Sequence, residues 1–185
     1  MINIFEQQAV QRVRLYYWKG CKMSKWWEPS KSADIQPIPW LSPKAVAKLE
    51  SILTPEFEVV EHGSGGSTLW FAERVKHVTA FENDADWQMI VKSKAPQNVS
   101  INGQTKISFY DVLLIDGVPV EERAQWILQS VDIVKRGGWV VLDNSNRPEY
   151  EKEREWLKSV CDEYESINGN ENGTKYLVTD FFRLK

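Results

Sequence analysis

The residues best suited to chemistry lie in residues 57–68, where a short apolar run ends at an acidic residue and a glycine-rich turn follows. Glu61 closes the apolar run. Gly63 and Gly65 let the backbone turn tightly and approach a ligand closely. Ser67 and Thr68 would open a helix, whose first N–H groups have no partner inside the helix. The stretch therefore predicts a ligand-binding turn between a strand and a helix, although a plain tight turn has the same composition.

The residues around the turn narrow the choice of ligand. The dinucleotide fingerprint needs glycine at positions one, three and six, but the sixth position from Gly63 is Thr68. No lysine follows the glycines, as a phosphate-binding loop requires. The carboxylate of Glu61 would repel a pyrophosphate, whereas it suits the cationic methionine end of S-adenosylmethionine. Glu82, about twenty residues further on, can accept both hydroxyls of a ribose.

Strands and helices alternate along residues 57–163, which predicts a parallel sheet with helices on both faces. The apolar strands Tyr110–Ile115, interrupted only by Asp111 at its start, and Trp139–Leu142 agree, since such strands are covered on both sides. Ligands bind to these sheets outside the carboxyl ends of the strands. Five polar residues are predicted at those ends: Glu61, Glu82, Asp116, Asp143 and Asn144.

The remaining pattern completes an α/β fold, a doubly wound and mostly parallel sheet of seven strands. Ser42-Pro43 predicts a helix start, with serine as N-cap and proline in the first turn. Residues 120–135 predict one long amphipathic helix closed by Gly137-Gly138. Residues 148–164 predict another helix. Residues 164–167 and 176–184 predict a C-terminal antiparallel hairpin.

The chain divides by composition into residues 1–40 and residues 41–185. The first part contains four of the nine tryptophans and several prolines, and we expect it to form an aromatic cap over the second. Its tryptophans either fill core beside the sheet or line a substrate pocket. Trp40, at the end of this part, is our candidate for contact with a substrate.

Composition limits the class of protein. The net charge of -3 argues against a nucleic-acid-binding surface, and the two cysteines cannot form a disulfide framework. No apolar run approaches the length of a membrane span, and the first residues lack the layout of a signal peptide. We therefore expect a cytoplasmic protein that does not bind membranes or nucleic acid. The oligomeric state stays open, with a homodimer as one candidate.

With these residues in view, residues 38–185 resemble the class I S-adenosylmethionine-dependent methyltransferases. Four segments carry the resemblance: residues 60–68, 81–84, 110–117 and 137–144. The resemblance implies a Rossmann-like fold and S-adenosylmethionine as cofactor. It places Glu82 on the ribose, with Asn83 and Asn102 beside the adenine. It also implies that the methionine portion lies along the turn, with Asp116 close to the cofactor's amino group. The turn residues concerned are Glu61, Gly63, Ser64, Gly65, Ser67 and Thr68.

A second resemblance bears on the reaction. Asp116, Asp143 and Asn144 are similar to the metal ligands of O-methyltransferases of the catechol and caffeoyl-CoA type. In that case they would hold Mg²⁺ or another divalent cation, and Asp116 and Asp143 would be catalytic. The alternative is that Asp116 bonds the cofactor while Asp143 and Asn144 cap the next segment. Arg147 could instead hold an acidic substrate.

The expected function is therefore methyl transfer to an oxygen of a small-molecule acceptor. Residues 116–119 do not match the Asn-Pro-Pro-Tyr sequence of enzymes that methylate amino groups of DNA bases, and no lysine tetrad for ribose methylation is apparent. Two other classes remain open: a nicotinamide-dependent oxidoreductase, and a non-catalytic protein that acts through its aromatic N-terminal part. His62 is expected to pack or hydrogen-bond rather than to act as a base.

Overall fold

The computed structural model describes residues 35–103, 109–117, 119–169 and 178–185. Within these ranges the chain forms seven β-strands and five α-helices. The strands are β1 (Glu58–His62), β2 (His77–Phe81), β3 (Val99–Ile101), β4 (Tyr110–Ile115), β5 (Val134–Leu142), β6 (Cys161–Asn168) and β7 (Val178–Leu184). The helices are α1 (Pro43–Ile52), α2 (Gly66–Ala72), α3 (Ala85–Lys94), α4 (Arg123–Ser130) and α5 (Glu151–Val160).

The strands form one sheet in the order β3-β2-β1-β4-β5-β7-β6. β1 to β5 pair in parallel, and β7 runs antiparallel between β5 and β6. The order reverses between β1 and β4, so the turn after β1 lies at the switch point where such sheets bind ligands. The predicted fold class, with its antiparallel C-terminal hairpin, is confirmed.

Local signals account for the helix starts that position this turn. The Ser42 hydroxyl accepts the N–H of Ala45 at 3.2 Å, and Pro43 follows as the first helical residue of α1. At α3, the Asp84 carboxylate accepts the N–H groups of Asp86 and Trp87. These caps satisfy donors that have no intrahelical partner.

Helices cover both faces of the sheet. α1, α2 and α3 pack on one face, over residues such as Val59 and Leu114, with a second group of buried residues around Ala80. α4 and α5 pack on the other face, over Leu113 and Phe182. The strands are apolar on both sides for this reason.

The long helix predicted over residues 120–135 is wrong in its second half. α4 ends at Ser130, a short 3-10 turn follows, and β5 begins at Val134, which pairs with Tyr110 of β4. Gly137 and Gly138 therefore lie inside β5 and not at a helix end. A Cβ on Gly138 would lie 2.9 Å from the carbonyl oxygen of Asp111, so strand pairing needs glycine there.

The helix predicted over residues 148–164 also ends early. α5 stops at Val160, and β6 starts at Cys161, which pairs with Leu184 of β7. Pairing across the hairpin outweighs the helical pattern of the sequence. The first hairpin strand is consequently longer than predicted, and residues 176 and 177 of the predicted second strand lie outside the described residues. β6 forms an edge of the sheet and is largely exposed.

Most of the predicted cap, residues 1–34, lies outside the described residues. Residues 35–41, which we call the crossing segment, run along one face of the sheet. Ile35 packs with Leu69 and Val91, and Leu41 packs with the core under α1. The crossing segment therefore passes the start of α2, next to the glycine turn.

Candidate functional site

The predicted site residues gather at the carboxyl edge of the sheet. Glu61 and His62 end β1, while Glu82 follows β2 and Asn102 follows β3. Asp116 follows β4. The residues Asp143 and Asn144 follow β5, and Thr179 lies in the antiparallel strand β7 beside them. Parallel strands bring these distant parts of the sequence to one edge.

The glycine turn is shaped by close backbone contacts. Gly63 has a φ of 96° and donates its N–H to the carbonyl of Phe81 at 2.7 Å. A Cβ on Gly63 would lie 2.9 Å from the Cα of Gly117, and a Cβ on Gly117 would lie 2.8 Å from the nitrogen of Gly63. The turns after β1 and β4 thus pack backbone to backbone. Sequence reasoning assigned no such role to Gly117.

Gly66 is enclosed from the side of the crossing segment. A Cβ at this position would lie 2.3 Å from the carbonyl oxygen of Ile38 and 2.6 Å from that of Gln36. The crossing segment therefore fixes the start of α2 by backbone contact. This brings the end of the predicted cap against the predicted cofactor turn.

Glu61 lies under the turn with 1% of its surface exposed. Its Oε2 accepts the Ser67 hydroxyl at 2.8 Å and its Oε1 accepts the Thr68 hydroxyl, which in turn accepts the N–H of Gly65 at 2.8 Å. Burial raises the pKa of Glu61 to about 8, against the opposing effect of the two hydroxyls. Ser67 and Thr68 therefore bind the carboxyl group of this chain, a role that the sequence pattern did not indicate.

Glu82 is held beside the turn by both of its oxygens. Oε2 accepts the N–H and the hydroxyl of Ser64 at 2.9 and 3.0 Å, and Oε1 accepts the N–H of Asp84 at 2.9 Å. Trp87 donates its indole N–H to the carbonyl of Ser64 at 2.7 Å. Sequence reasoning missed Trp87, because nothing in its helix marks it as a contact of the turn.

Asn102 fixes the backbone of Glu82. Its Oδ1 accepts the N–H of Glu82 at 2.9 Å, and its Nδ2 donates to the carbonyl of Glu82 at 2.6 Å. Asn102 takes a positive φ of 47°, which asparagine tolerates better than most residues. Asn83, predicted beside the adenine, donates to Glu122 at 3.5 Å.

A buried arginine joins the ends of β4 and β5. Arg123, 2% exposed, donates Nε to the carbonyl of Gly117, Nη1 to that of Asp143 and Nη2 to that of Asp116, at 2.8, 2.8 and 2.7 Å. Nη2 also lies 3.3 Å from Asp116 Oδ1, and Nη1 lies 3.4 Å from Asn144 Oδ1. Sequence reasoning missed this residue, which is the first of α4.

Asp116 and Asp143 form a pair of interacting carboxyl groups. Burial raises the pKa of both, and their mutual repulsion raises that of Asp143 further, while Arg123 opposes the rise in Asp116. Thr179 donates its hydroxyl to Asp143 Oδ1 at 2.7 Å. Asp143 is 5% exposed, whereas 23% of the Asp116 side chain is exposed. Asp116 is therefore the member of the pair that faces the edge of the sheet.

The three predicted metal ligands do not fit a divalent cation in this arrangement. Asp116 and Asn144 each direct an oxygen at the guanidinium of Arg123, and Asp143 accepts the hydroxyl of Thr179. A cation among them would have to displace these donors and would be repelled by Arg123. In the ranges that the structure describes, no three side chains of histidine, cysteine, aspartate or glutamate are grouped so that they could hold a metal ion.

His62 packs on the face of the sheet opposite to that of Glu61, the residue before it in β1. Its ring stacks between Phe81 and Trp126, with centroid distances of 5.4 and 4.9 Å, and its Nε2 lies 2.7 Å from the Ser130 hydroxyl. Burial lowers the pKa of His62 to about 4, so the ring is neutral at pH 7.

Of the two predicted substrate contacts, Trp40 lies in the crossing segment and Arg147 lies after β5. Trp40 is 48% exposed. Arg147, in the turn before α5, lies 4.0 Å from Glu149, with 27% of its side chain exposed. Their role as substrate contacts stays a prediction.

Comparison with known proteins bears on the fold. No protein-family profile matches the sequence, and no curated protein matches it significantly. Among solved structures, an S-adenosylmethionine-dependent O-methyltransferase from Thermotoga maritima has a TM-score of 0.60 and 13% identity, covering 76% of this chain and 64% of its own. The tRNA (m1A58) methyltransferase TrmI from Aquifex aeolicus has a TM-score of 0.58 and 14% identity. The match covers 74% of this chain and 66% of the TrmI chain.

A third similar structure is described as precorrin 8W decarboxylase, from Methanobacterium thermoautotrophicum. Its TM-score is 0.57 and its identity 18%, covering 82% of this chain and 97% of that one. At such identities the likeness establishes the fold, and the predicted resemblance to the Rossmann-like methyltransferase fold is confirmed. In the described residues, no helix is long and apolar enough to cross a membrane.

Proposed function

We propose that the protein is an S-adenosylmethionine-dependent methyltransferase that transfers the methyl group to an oxygen of a small-molecule acceptor. The observation that carries the proposal is the placement of two carboxylates on either side of the glycine turn at the switch point of the sheet. Glu82 is fixed by Ser64, Asp84 and Asn102, and Glu61 is fixed by the first turn of α2.

This placement suits the cofactor's charges and hydroxyls. The ribose would lie against Glu82. Each carboxylate oxygen has two lone pairs, so Oε1, which accepts only the Asp84 N–H, can accept a further hydrogen bond. Oε2 could accept one as well if the Ser64 hydroxyl turned to the ligand. The methionine end would then follow the turn towards Asp116. Its positive charge would offset three acidic groups that share one edge, Glu61, Asp116 and Asp143. The buried Arg123 acts on the two aspartates and not on Glu61.

The reaction needs the acceptor oxygen in line with the cofactor's methyl group, so positioning supplies most of the catalysis. Asp116 is our candidate proton acceptor, because its carboxyl group is accessible while Asp143 lies behind it. Asp143 and Thr179 would hold Asp116 in place through the carboxyl pair. Arg123 supplies positive charge where the metal-dependent O-methyltransferases would place a cation, so the mechanism has no metal step.

Calorimetry with S-adenosylmethionine and S-adenosylhomocysteine tests the cofactor assignment. We expect both to bind. Glu82→Ala should weaken binding about tenfold to a hundredfold, since an acceptor for two ribose hydroxyls is lost. Glu165→Gln is a matched control, because Glu165 lies on the exposed strand β6 and pairs with Lys48 of α1. An absence of binding to the wild-type protein at millimolar cofactor would refute the proposal.

The acceptor needs a separate test, because solved structures with this fold include enzymes named for tRNA and rRNA methylation. Cofactor labelled in its methyl group would be incubated with the protein and either a small-molecule extract or total RNA. Label in the small-molecule fraction supports the proposal. Label confined to RNA would replace the proposed acceptor class and leave the cofactor assignment intact.

A further inference from the structure

Glu61 is a buried acid to which the proposed methyl transfer gives no chemical step. Its carboxyl group is covered by the first turn of α2 and bonds only the Ser67 and Thr68 hydroxyls among side chains that the structure describes. No ion pair joins it to a described lysine, arginine or histidine. A charge at this position would therefore be buried without a cation, which is costly.

The groups that face Glu61 from neighbouring strands are also acidic. Asp116 at the end of β4 and Glu82 at the end of β2 both disfavour its negative charge, and Arg123 bonds Asp116 rather than Glu61. His62, the next residue, points to the opposite face and is neutral above about pH 4.

The two remaining elements near Glu61 add no charge. The first turn of α2 contributes hydroxyls, and the crossing segment presents backbone carbonyls of Gln36 and Ile38 at Gly66. The protein surroundings thus favour the neutral acid, in agreement with the pKa of about 8.

The hydrogen bonds allow either protonation state. Thr68 accepts the N–H of Gly65, so its own hydrogen points to Glu61 Oε1. The Ser67 hydroxyl has no such constraint among the bonds described. It can accept a hydrogen bond from a protonated Glu61 Oε2 in the neutral state and donate one to the same oxygen in the ionised state. Rotation of the Ser67 hydroxyl is therefore enough for the hydrogen bonds to suit either protonation state of Glu61.

We propose that Glu61 carries a proton while the cofactor site is empty and releases it to solvent when S-adenosylmethionine binds, so that the site recognises the sulfonium charge through this buried acid. The inference rests on the proposed function, which places the methionine end along residues 61–66. The bound cation supplies the countercharge that Glu61 lacks. S-adenosylhomocysteine has no sulfonium charge, and Glu61 regains its proton once the methyl group has left.

The pH dependence of the two ligands follows from linkage. Binding that releases a proton strengthens as the pH rises and levels off above the pKa of the free protein, near 8. Affinity for S-adenosylmethionine should therefore fall towards acid pH, and affinity for S-adenosylhomocysteine should fall less. The preference for substrate over product is then greatest above about pH 8.

Calorimetry of the full chain in buffers of different ionisation enthalpy measures the protons released. The test compares the wild type with Glu61→Gln, which keeps the shape of the side chain and can still bond both hydroxyls. The amino group of the cofactor titrates near pH 7.7–8.0, but it does so in both proteins, so their difference isolates Glu61. Glu165→Gln serves as the surface control.

At pH 7, an acid with a pKa of about 8 is about 90% protonated. We expect the wild type to release roughly 0.9 proton more than Glu61→Gln on binding S-adenosylmethionine. Between pH 6 and 7, its affinity should rise about ninefold relative to that of the variant. Equal proton release by the two proteins would overturn the inference and leave the cofactor assignment standing. Failure of the wild type to bind S-adenosylmethionine would overturn the proposed function itself.

Carbon-13 NMR of glutamate carboxyl groups keeps the test decisive if Glu61→Gln does not fold. In wild-type protein without cofactor, one glutamate carboxyl carbon should titrate near pH 8, and saturation with S-adenosylmethionine should remove this transition. A free protein whose glutamates all titrate below pH 6 would contradict the inference.

Discussion

Arg123 offers a direct test of what holds the carboxyl edge of the sheet together. Its guanidinium donates to three backbone carbonyls at the ends of β4 and β5 and approaches Asp116 at 3.3 Å. Arg123→Met keeps an unbranched side chain as far as the position of Nε and removes the guanidinium, with its charge and every donor. The three carbonyls then lose their partner, and the carboxyl pair loses its cation.

The size of the effect can be bounded from these contacts. Each hydrogen bond from a charged donor contributes about 1.5–3 kcal/mol, but such values do not add. Removing one partner of a buried ion pair costs about 3–5 kcal/mol. We therefore expect Arg123→Met to lower the free energy of unfolding by about 3–5 kcal/mol. With a urea m value of about 2 kcal/mol per M, the midpoint would fall by about 1.5–2.5 M.

Urea unfolding followed by tryptophan fluorescence measures this change. Arg123→Lys should lose less, about 1–3 kcal/mol, because it keeps the charge but cannot bond three carbonyls at once. Arg183→Met is the control: Arg183 pairs with Glu163 at the surface and should cost under about 1 kcal/mol. A loss below about 1 kcal/mol in Arg123→Met would refute the view that this arginine joins the two strands.

Two further predictions concern the two faces of the sheet. The pKa of His62 is lowered to about 4 in the folded protein, from about 6.5 in the unfolded chain. The neutral ring therefore stabilises the fold above pH 6.5, and the free energy of unfolding falls by about 3 kcal/mol as the pH falls to 4. In urea titrations His62→Gln should lose less stability over that range, and equal losses in the two proteins would contradict a lowered pKa for His62. Gly66→Ala should cost about 1–3 kcal/mol, since its Cβ would lie 2.3 Å from a backbone oxygen of the crossing segment. In Gly103→Ala the new Cβ would lie at an ordinary contact distance of 3.6 Å from Ser100, so this control should leave the free energy of unfolding nearly unchanged. Similar losses of stability in the two variants would exclude a tight fit at Gly66.

The sequence predicted the parts of the fold that local pattern determines. The glycine turn, the acidic strand ends and the start of α1 each depend on residues close together in the chain, and the structure has them where predicted. The two helices predicted too long failed for the opposite reason. Val134 and Cys161 continue a helical pattern, but each pairs with a strand distant in sequence, and that pairing decides their conformation.

The contacts around the site were hidden from sequence reasoning for the same reason. Arg123 begins an amphipathic helix, where an arginine normally faces solvent, and its acceptors include one that lies 20 residues away. Asn102 looks like an ordinary turn residue, but it holds Glu82 across two strand ends. The three-dimensional arrangement decides which acid lies beside a cation and which acid lies without one. The burial that raises the pKa of Glu61 could not be foreseen from its motif.

The exposed edge strand β6 has a consequence for the behaviour of the molecule in concentrated solution. An unpaired strand offers its backbone to any other extended chain, which is a common route to aggregation. β6 carries Asp162, Glu163 and Glu165 along this edge. Glu163 pairs with Arg183 of β7, and Glu165 pairs with Lys48 of helix α1. A strand added from a second molecule would have to approach this row of carboxylates. The edge is thus protected by charge, and self-association through β6 is disfavoured.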